Sequence, residues 1–107
     1  MAKRFVPVTS VGEVPVGQVR VFNVQGTSIA LCNVAGTIHA IENVCSHDDG
    51  PLGEGALHGS QIECPRHGAR FEVTTGAVCR MPAAFPVKTF PIRVENDRVM
   101  VEIEATP

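Results

Sequence analysis

The chain has 107 residues, 44% of them apolar, and its nine Lys and Arg against eleven Asp and Glu leave a formal net charge of −2. That length suits one domain, residues 1–107, with a core of modest size. The charge balance gives no electrostatic support to non-specific nucleic-acid binding, so any docking partner is expected to be another protein. The opening MAKRFVPVTS has two basic residues but no long apolar run after them, and no stretch reaches the length of a membrane span. Neither a signal peptide nor a membrane anchor is expected, and the expected location is the cytoplasm.

Val is the commonest apolar residue, with Ala and Ile behind it, while Leu is scarce and Trp and Tyr are absent. That bias favours strands. Residues 5–8 suit an entry strand. Val14-Pro15-Val16-Gly17 reads as a turn before a strand over 19–24, and Gln25-Gly26-Thr27 breaks the chain again. Residues 28–34 and 38–43, joined by Ala35-Gly36-Thr37, form the strongest hairpin signal of the first half. From 45 to 61 the alternating pattern stops, and a structureless loop of that length is expected only where it has a function. A brief strand at 62–63, strands at 70–73 and 77–80 around Thr74-Thr75-Gly76, and an irregular crossing at 81–86 follow. A closing hairpin pairs 87–94 with 99–103 across Glu95-Asn96-Asp97. Pro91 inside its first strand calls for an edge position or a bulge. No helix is expected. Short, regularly spaced strands argue for a small all-β sandwich or barrel.

The stretch that breaks the strand pattern, residues 44–71, holds Cys45-Ser46-His47 and Cys64-Pro65-Arg66-His67, separated by sixteen residues that include four glycines. Two thiolates and two imidazoles form a metal-ligand set by residue type alone, one that suits zinc or iron–sulfur. Zinc pairs usually enclose about two to four residues, and the single Ser46 is tight for two corners of one tetrahedron. A 2Fe–2S cluster has two metals, so each pair can send its Cys to one iron and its His to the other. A bound metal would also offset the entropy of ordering a loop that buries little apolar surface.

C-x-H, sixteen residues, then C-x-x-H, with CPRHG around the second pair, resembles the signature of the Rieske iron–sulfur family, and the likeness runs over about residues 6–103. The resemblance implies an all-β, Rieske-type sandwich or barrel of short antiparallel strands, with two cluster-binding loops at one end. It implies one 2Fe–2S cluster per chain, with Cys45 and Cys64 on the buried iron and His47 and His67 on the outer one. Neutral imidazoles in place of thiolates raise the potential relative to all-Cys ferredoxins.

The respiratory members of the family carry an extra Cys in each loop, joined as a disulfide. The matching positions here are Gly50 and Arg66. They also have a Ser and a Tyr whose hydroxyls bond to cluster sulfurs, whereas this chain has Ala69 at the first position and no Tyr. Fewer hydrogen bonds to sulfur imply a potential near the low end of the Rieske range, roughly −150 mV. Low potential and small size resemble the ferredoxin components of bacterial ring-hydroxylating dioxygenases.

The function implied is one-electron transfer from a flavin-dependent reductase to a terminal oxygenase, by a monomeric carrier that is not itself an enzyme. Two other readings stand beside it. One is a small Rieske-type subunit of a larger redox enzyme such as an assimilatory nitrite reductase. The other is a zinc-stabilised binding module. Cys32 and Cys79 are expected to be buried or half-buried apolar residues rather than ligands, His39 a packed or solvent-facing strand residue, and His58 an exposed residue near the cluster. Asp48, Asp49, Glu54 and Glu63 serve solubility and turns or, as a group, partner docking. Arg66 and Arg70 are placed to neutralise those acids or the reduced cluster. Pro51, Gly53 and Gly68 are expected to shape the loops.

Overall fold

The computed structural model describes residues 3–44, 51–65, 68–81 and 85–104. Among them eleven strands run in chain order: β1 (Lys3–Ser10), β2 (Val19–Val24), β3 (Thr27–Val34), β4 (Thr37–Glu42), β5 (Leu57–His58), β6 (Gln61–Glu63), β7 (Arg70–Glu72), β8 (Val78–Arg80), β9 (Thr89–Phe90), β10 (Ile92–Glu95) and β11 (Arg98–Glu104). They form three antiparallel sheets with strand orders β1-β11-β10, β2-β3-β4-β9 and β5-β6-β7-β8. The expected all-β architecture of short antiparallel strands is what the chain adopts.

Local sequence sets the hairpins. The strands β2, β3 and β4 are joined by Gln25-Gly26 and Ala35-Gly36, and β10 and β11 by Asn96-Asp97. All six of these residues have positive φ, the turn geometry that matches the twist of paired strands. The first two turns share an Asn-Val-x-Gly sequence. In each, the Asn side chain accepts the glycine N–H, Asn23 Oδ1 at 3.0 Å and Asn33 Oδ1 at 2.9 Å. Asn33 is buried, and its amide donates to the Val14 carbonyl at 2.7 Å, so it carries no unsatisfied polar atom into the core.

The central strand β3 is buried on both faces. Ile29 and Leu31 pack with Val14, Val24, Val99, Val101 and Ile103. Ala30 and Cys32, on the opposite face, pack with Ile41, Leu52, Ile62, Phe71 and Val73. Alternation along one strand therefore feeds two cores. The first belongs to the long-stranded frame, and the second lies under the sheet β5-β6-β7-β8.

Two expectations change. The run 87–94 is not one strand. Phe90 of β9 pairs with Ala40 in one sheet, and Ile92 of β10 pairs with Val101 in another. Pro91 sits at the switch. It has no N–H for a ladder, but its carbonyl accepts from Glu102 N at 3.0 Å. Both flanking strands are edges of their sheets, one of the two outcomes expected for Pro91. The described part of 45–61 is also more ordered than a bare loop. It contains a 3-10 turn, Leu52–Glu54, and β5, because Leu52 is an apolar anchor with no exposed surface. A second 3-10 turn, Val11–Glu13, interrupts the first half. No helix among the described residues is long and apolar enough to cross a membrane.

Candidate metal centre

Of the four candidate ligands, Cys64 is described, and Cys45, His47 and His67 lie outside the described residues, together with Asp48, Asp49, Gly50 and Arg66. Cys64 follows directly on β6 and opens the turn that leads to β7. Two backbone bonds close that turn: Cys64 N donates to the Ala69 carbonyl at 2.7 Å, and Gly68 N donates to the Cys64 carbonyl at 3.0 Å. Gly68 has φ +75°, a left-handed conformation that favours glycine. Cys64 is 1% exposed and Ala69 is fully buried, both in the core beneath the sheet. The apolar side chains that fix this turn are Ile62 and Phe71, cross-strand partners on the inner face of β6 and β7.

The first loop is seated by contacts that sequence reasoning did not identify. Asn43, just past β4, accepts Gly53 N at 2.6 Å through Oδ1 and donates from Nδ2 to Ser28 Oγ at 3.1 Å. Gly53 is thus held against the frame, which is a more specific role than loop shaping. Gly55 meets the strand that leads to Cys64. A Cβ at position 55 would overlap the Glu63 carbonyl oxygen, so only glycine allows this approach. Glu63 N donates to the Ala56 carbonyl at 2.9 Å. The only sequence signals for these contacts were an Asn at a strand end and a second loop glycine, which point to a turn but name no partner.

The outer face of the sheet is charged. Glu63 Oε1 accepts from Arg70 Nε at 3.0 Å and lies 2.9 Å from Arg70 Nη2 and 3.3 Å from His58 Nε2. The hydrogen bond from Arg70 holds the Glu63 carboxyl below the usual glutamate range. Desolvation works against it, and the charges of Arg70, His58 and Arg80 add to it. Glu63 is therefore engaged within the chain, which weakens its assignment to a docking group. Arg70 does neutralise an acid, as expected. Glu54 is exposed.

Cys32 is fully buried, and burial pushes its thiol up to about 12. It is a protonated core residue, as expected, and no disulfide joins it to Cys79. Cys79 departs from expectation. It is exposed, as are its neighbours Val78 and Arg80, because β8 is a short edge strand. His39 is half-buried on β4, and His58 is exposed. Among the described residues, no group of three or more His, Cys, Asp or Glu converges as a metal site.

A buried thiol at the mouth of a tight, doubly hydrogen-bonded turn is a donor site fit for a metal cluster. Its thiol has no hydrogen-bond partner among the described residues, and one soft donor of the set is already preorganised.

The family model described as the Rieske [2Fe-2S] domain matches residues 4–91. The ferredoxin component of the naphthalene 1,2-dioxygenase/salicylate 5-hydroxylase systems of Ralstonia sp. is 38% identical over 97% of this chain and 100% of that protein. Among solved structures, the ferredoxin of carbazole 1,9a-dioxygenase from Nocardioides aromaticivorans IC177 superposes with a TM-score of 0.87 at 32% identity, covering 91% of this chain and 95% of the other. A chain from a complex of reduced oxygenase and oxidized ferredoxin in carbazole 1,9a-dioxygenase gives a TM-score of 0.86 at 33% identity over 91% of each chain.

Proposed function

The chain belongs to the Rieske [2Fe-2S] domain family, and from that premise we propose that it is a one-electron carrier between a flavin-dependent reductase and a terminal aromatic-ring-hydroxylating oxygenase. Its cofactor is a Rieske 2Fe–2S cluster, and its relatives are ferredoxin components rather than catalytic subunits. That identity displaces the single-zinc reading. The observation that carries the proposal is the match to a dioxygenase ferredoxin over that protein's whole length, joined to a buried Cys64 at the position the signature requires.

In this reading Cys45 and Cys64 would hold one iron, and His47 and His67 the other. The cluster supplies a reversible one-electron couple, its potential raised by imidazole ligation. The chain's own residues do the rest. Ile62 and Phe71 keep water from the base of the Cys64 turn, and Asn43 and Gly55 seat the first loop against the frame. Met81, 80% exposed, directly follows Arg80, which pairs with Arg70 just past the turn. It offers apolar surface to a partner protein. The solved relative in complex with an oxygenase supports a partner of that kind. The carrier acts as a monomer in the cytoplasm.

Ala69 brings no hydroxyl to the turn, and the chain has no Tyr. The midpoint potential is therefore expected near the low end for Rieske centres, roughly −150 mV. A redox titration giving a value well above zero would refute this. The identity test is iron, zinc and acid-labile sulfide per chain, with an EPR spectrum after dithionite reduction. Two irons, two sulfides and a rhombic signal of low average g are expected, and all are lost in Cys45→Ser and Cys64→Ser. One zinc without sulfide would overturn the proposal, and a stable, fully occupied cluster in either variant would overturn the ligand assignment.

A further inference from the structure

Glu63 ends β6 and is the chain neighbour of Cys64. Three strands meet at it. Arg70 reaches Oε1 from β7 with Nε at 3.0 Å and Nη2 at 2.9 Å, and His58 Nε2 lies 3.3 Å away from β5. The backbone N–H of Glu63 binds the Ala56 carbonyl at 2.9 Å. β5 is where the first loop ends, β6 enters the Cys64 turn, and β7 leaves it. The turn itself is closed by two backbone bonds, and the next rung of the ladder is the Glu63 and Arg70 pair.

An ion pair whose side chains are 31% and 28% exposed ordinarily contributes little. Two features set this one apart. One carboxylate oxygen serves side chains from two neighbouring strands. Glu63 also offsets a charge conflict, because Arg70 stands directly opposite Arg80 of β8, and like charges across strands repel. Without Glu63, that rung would carry Arg70 and Arg80 with no acid beside them.

We propose that Glu63, gripped by Arg70 and His58, is a positioning residue that ties the strand ending the first loop to both arms of the Cys64 turn and so keeps Cys64 in place for the iron it would hold. The inference rests on the electron-carrier reading. It assigns to a side-chain cluster a task that backbone pairing between strands of two or three residues leaves unfinished.

The test compares Glu63→Ala with Glu95→Ala, which removes the acid of the Arg93 pair at 3.5 Å in the frame. Each variant carries the reconstituted cluster. Three quantities are read: the rate of visible bleaching under excess chelator, the EPR g-values and the midpoint potential. Glu63→Ala is expected to bleach about fivefold faster than the parent, as loss of an ion pair of upper-range strength implies, while Glu95→Ala matches the parent. The g-values shift only in the first. The midpoint rises in Glu63→Ala, which loses a negative charge beside the turn, and falls in Arg70→Gln, which unmasks it, although both variants bleach faster. These opposite shifts separate a tie at the cluster from a general loss of stability. Should Glu63→Ala not accumulate, Arg70→Gln alone is read, with faster bleaching and a lowered midpoint expected. A bleaching rate within twofold of the parent in the variant measured, with unchanged g-values, overturns the tie. A parent without iron and sulfide overturns the electron-carrier reading instead.

Discussion

The frame and the loop-bearing sheet are both antiparallel and both apolar inside, yet they are held together differently. β1, β3 and β11 are seven or eight residues long, and β1 pairs with β11 along nearly its whole length. In the other sheet no strand exceeds three residues. Ladders that short do not persist on their own. They persist here because Ile62, Phe71 and Leu52 dock on the second face of β3, and because Asn43 and Glu63 bind loop to frame and strand to strand. The short-stranded sheet thus takes its order from packing on the frame. Opening free energies should fall from one region to the other.

The largest test of this contrast pairs two core truncations. Leu31→Ala and Phe71→Ala each remove a fully buried side chain, at a cost of about 2–5 kcal/mol for the Leu and about 3–5 kcal/mol for the Phe. Leu31→Ala is expected to lower the thermal midpoint of far-UV circular dichroism and of cluster absorbance together. Phe71→Ala is expected to bleach the cluster well before the frame melts. Coincident transitions in Phe71→Ala would show that the two regions unfold as one unit.

A smaller effect is expected from Gly55→Ala. The new methyl must displace the Glu63 carbonyl or the loop, an overpacking cost of about 1–3 kcal/mol. Iron retention should drop while the melting of the apoprotein frame stays near the parent's. An equal loss in both would place Gly55 in the frame.

The smallest effect is at Glu72, on the outer face of β7. Hydrogen bonds from Thr74 and Ser60, at 2.7 Å and 2.9 Å, hold its carboxyl below the usual glutamate range, with Thr74 the larger cause and desolvation opposing. A lowered folded pKa stabilises the fold fully above the ordinary glutamate value of about 4.3 and loses that contribution as the pH falls through the folded value. Glu72→Gln should therefore melt slightly below the parent at pH 7, and the gap should close in acid. A gap that widens on acidification would reverse the sign of the linkage.

The all-β class, the turns at Gln25-Gly26-Thr27, Ala35-Gly36-Thr37 and Glu95-Asn96-Asp97, and the choice of an edge or a bulge at Pro91 were legible in the sequence, because each follows from local conformational preference or a missing N–H. The sequence also determined the family, because two Cys–His pairs at that spacing are a chemical pattern before they are a shape. Packing across the layers settled that 87–94 divides between two edge strands in different sheets, that Leu52 anchors an ordered segment inside the apparent loop, and that Cys79 is exposed while Cys32 lies in the core. It alone brought Asn43 to Gly53 and Glu63 to Arg70 and His58. Those contacts join residues whose local sequence is ordinary, and they exist because β3 has two buried faces. Which face a neighbour occupies is set by packing across the layers, which no window of adjacent residues contains.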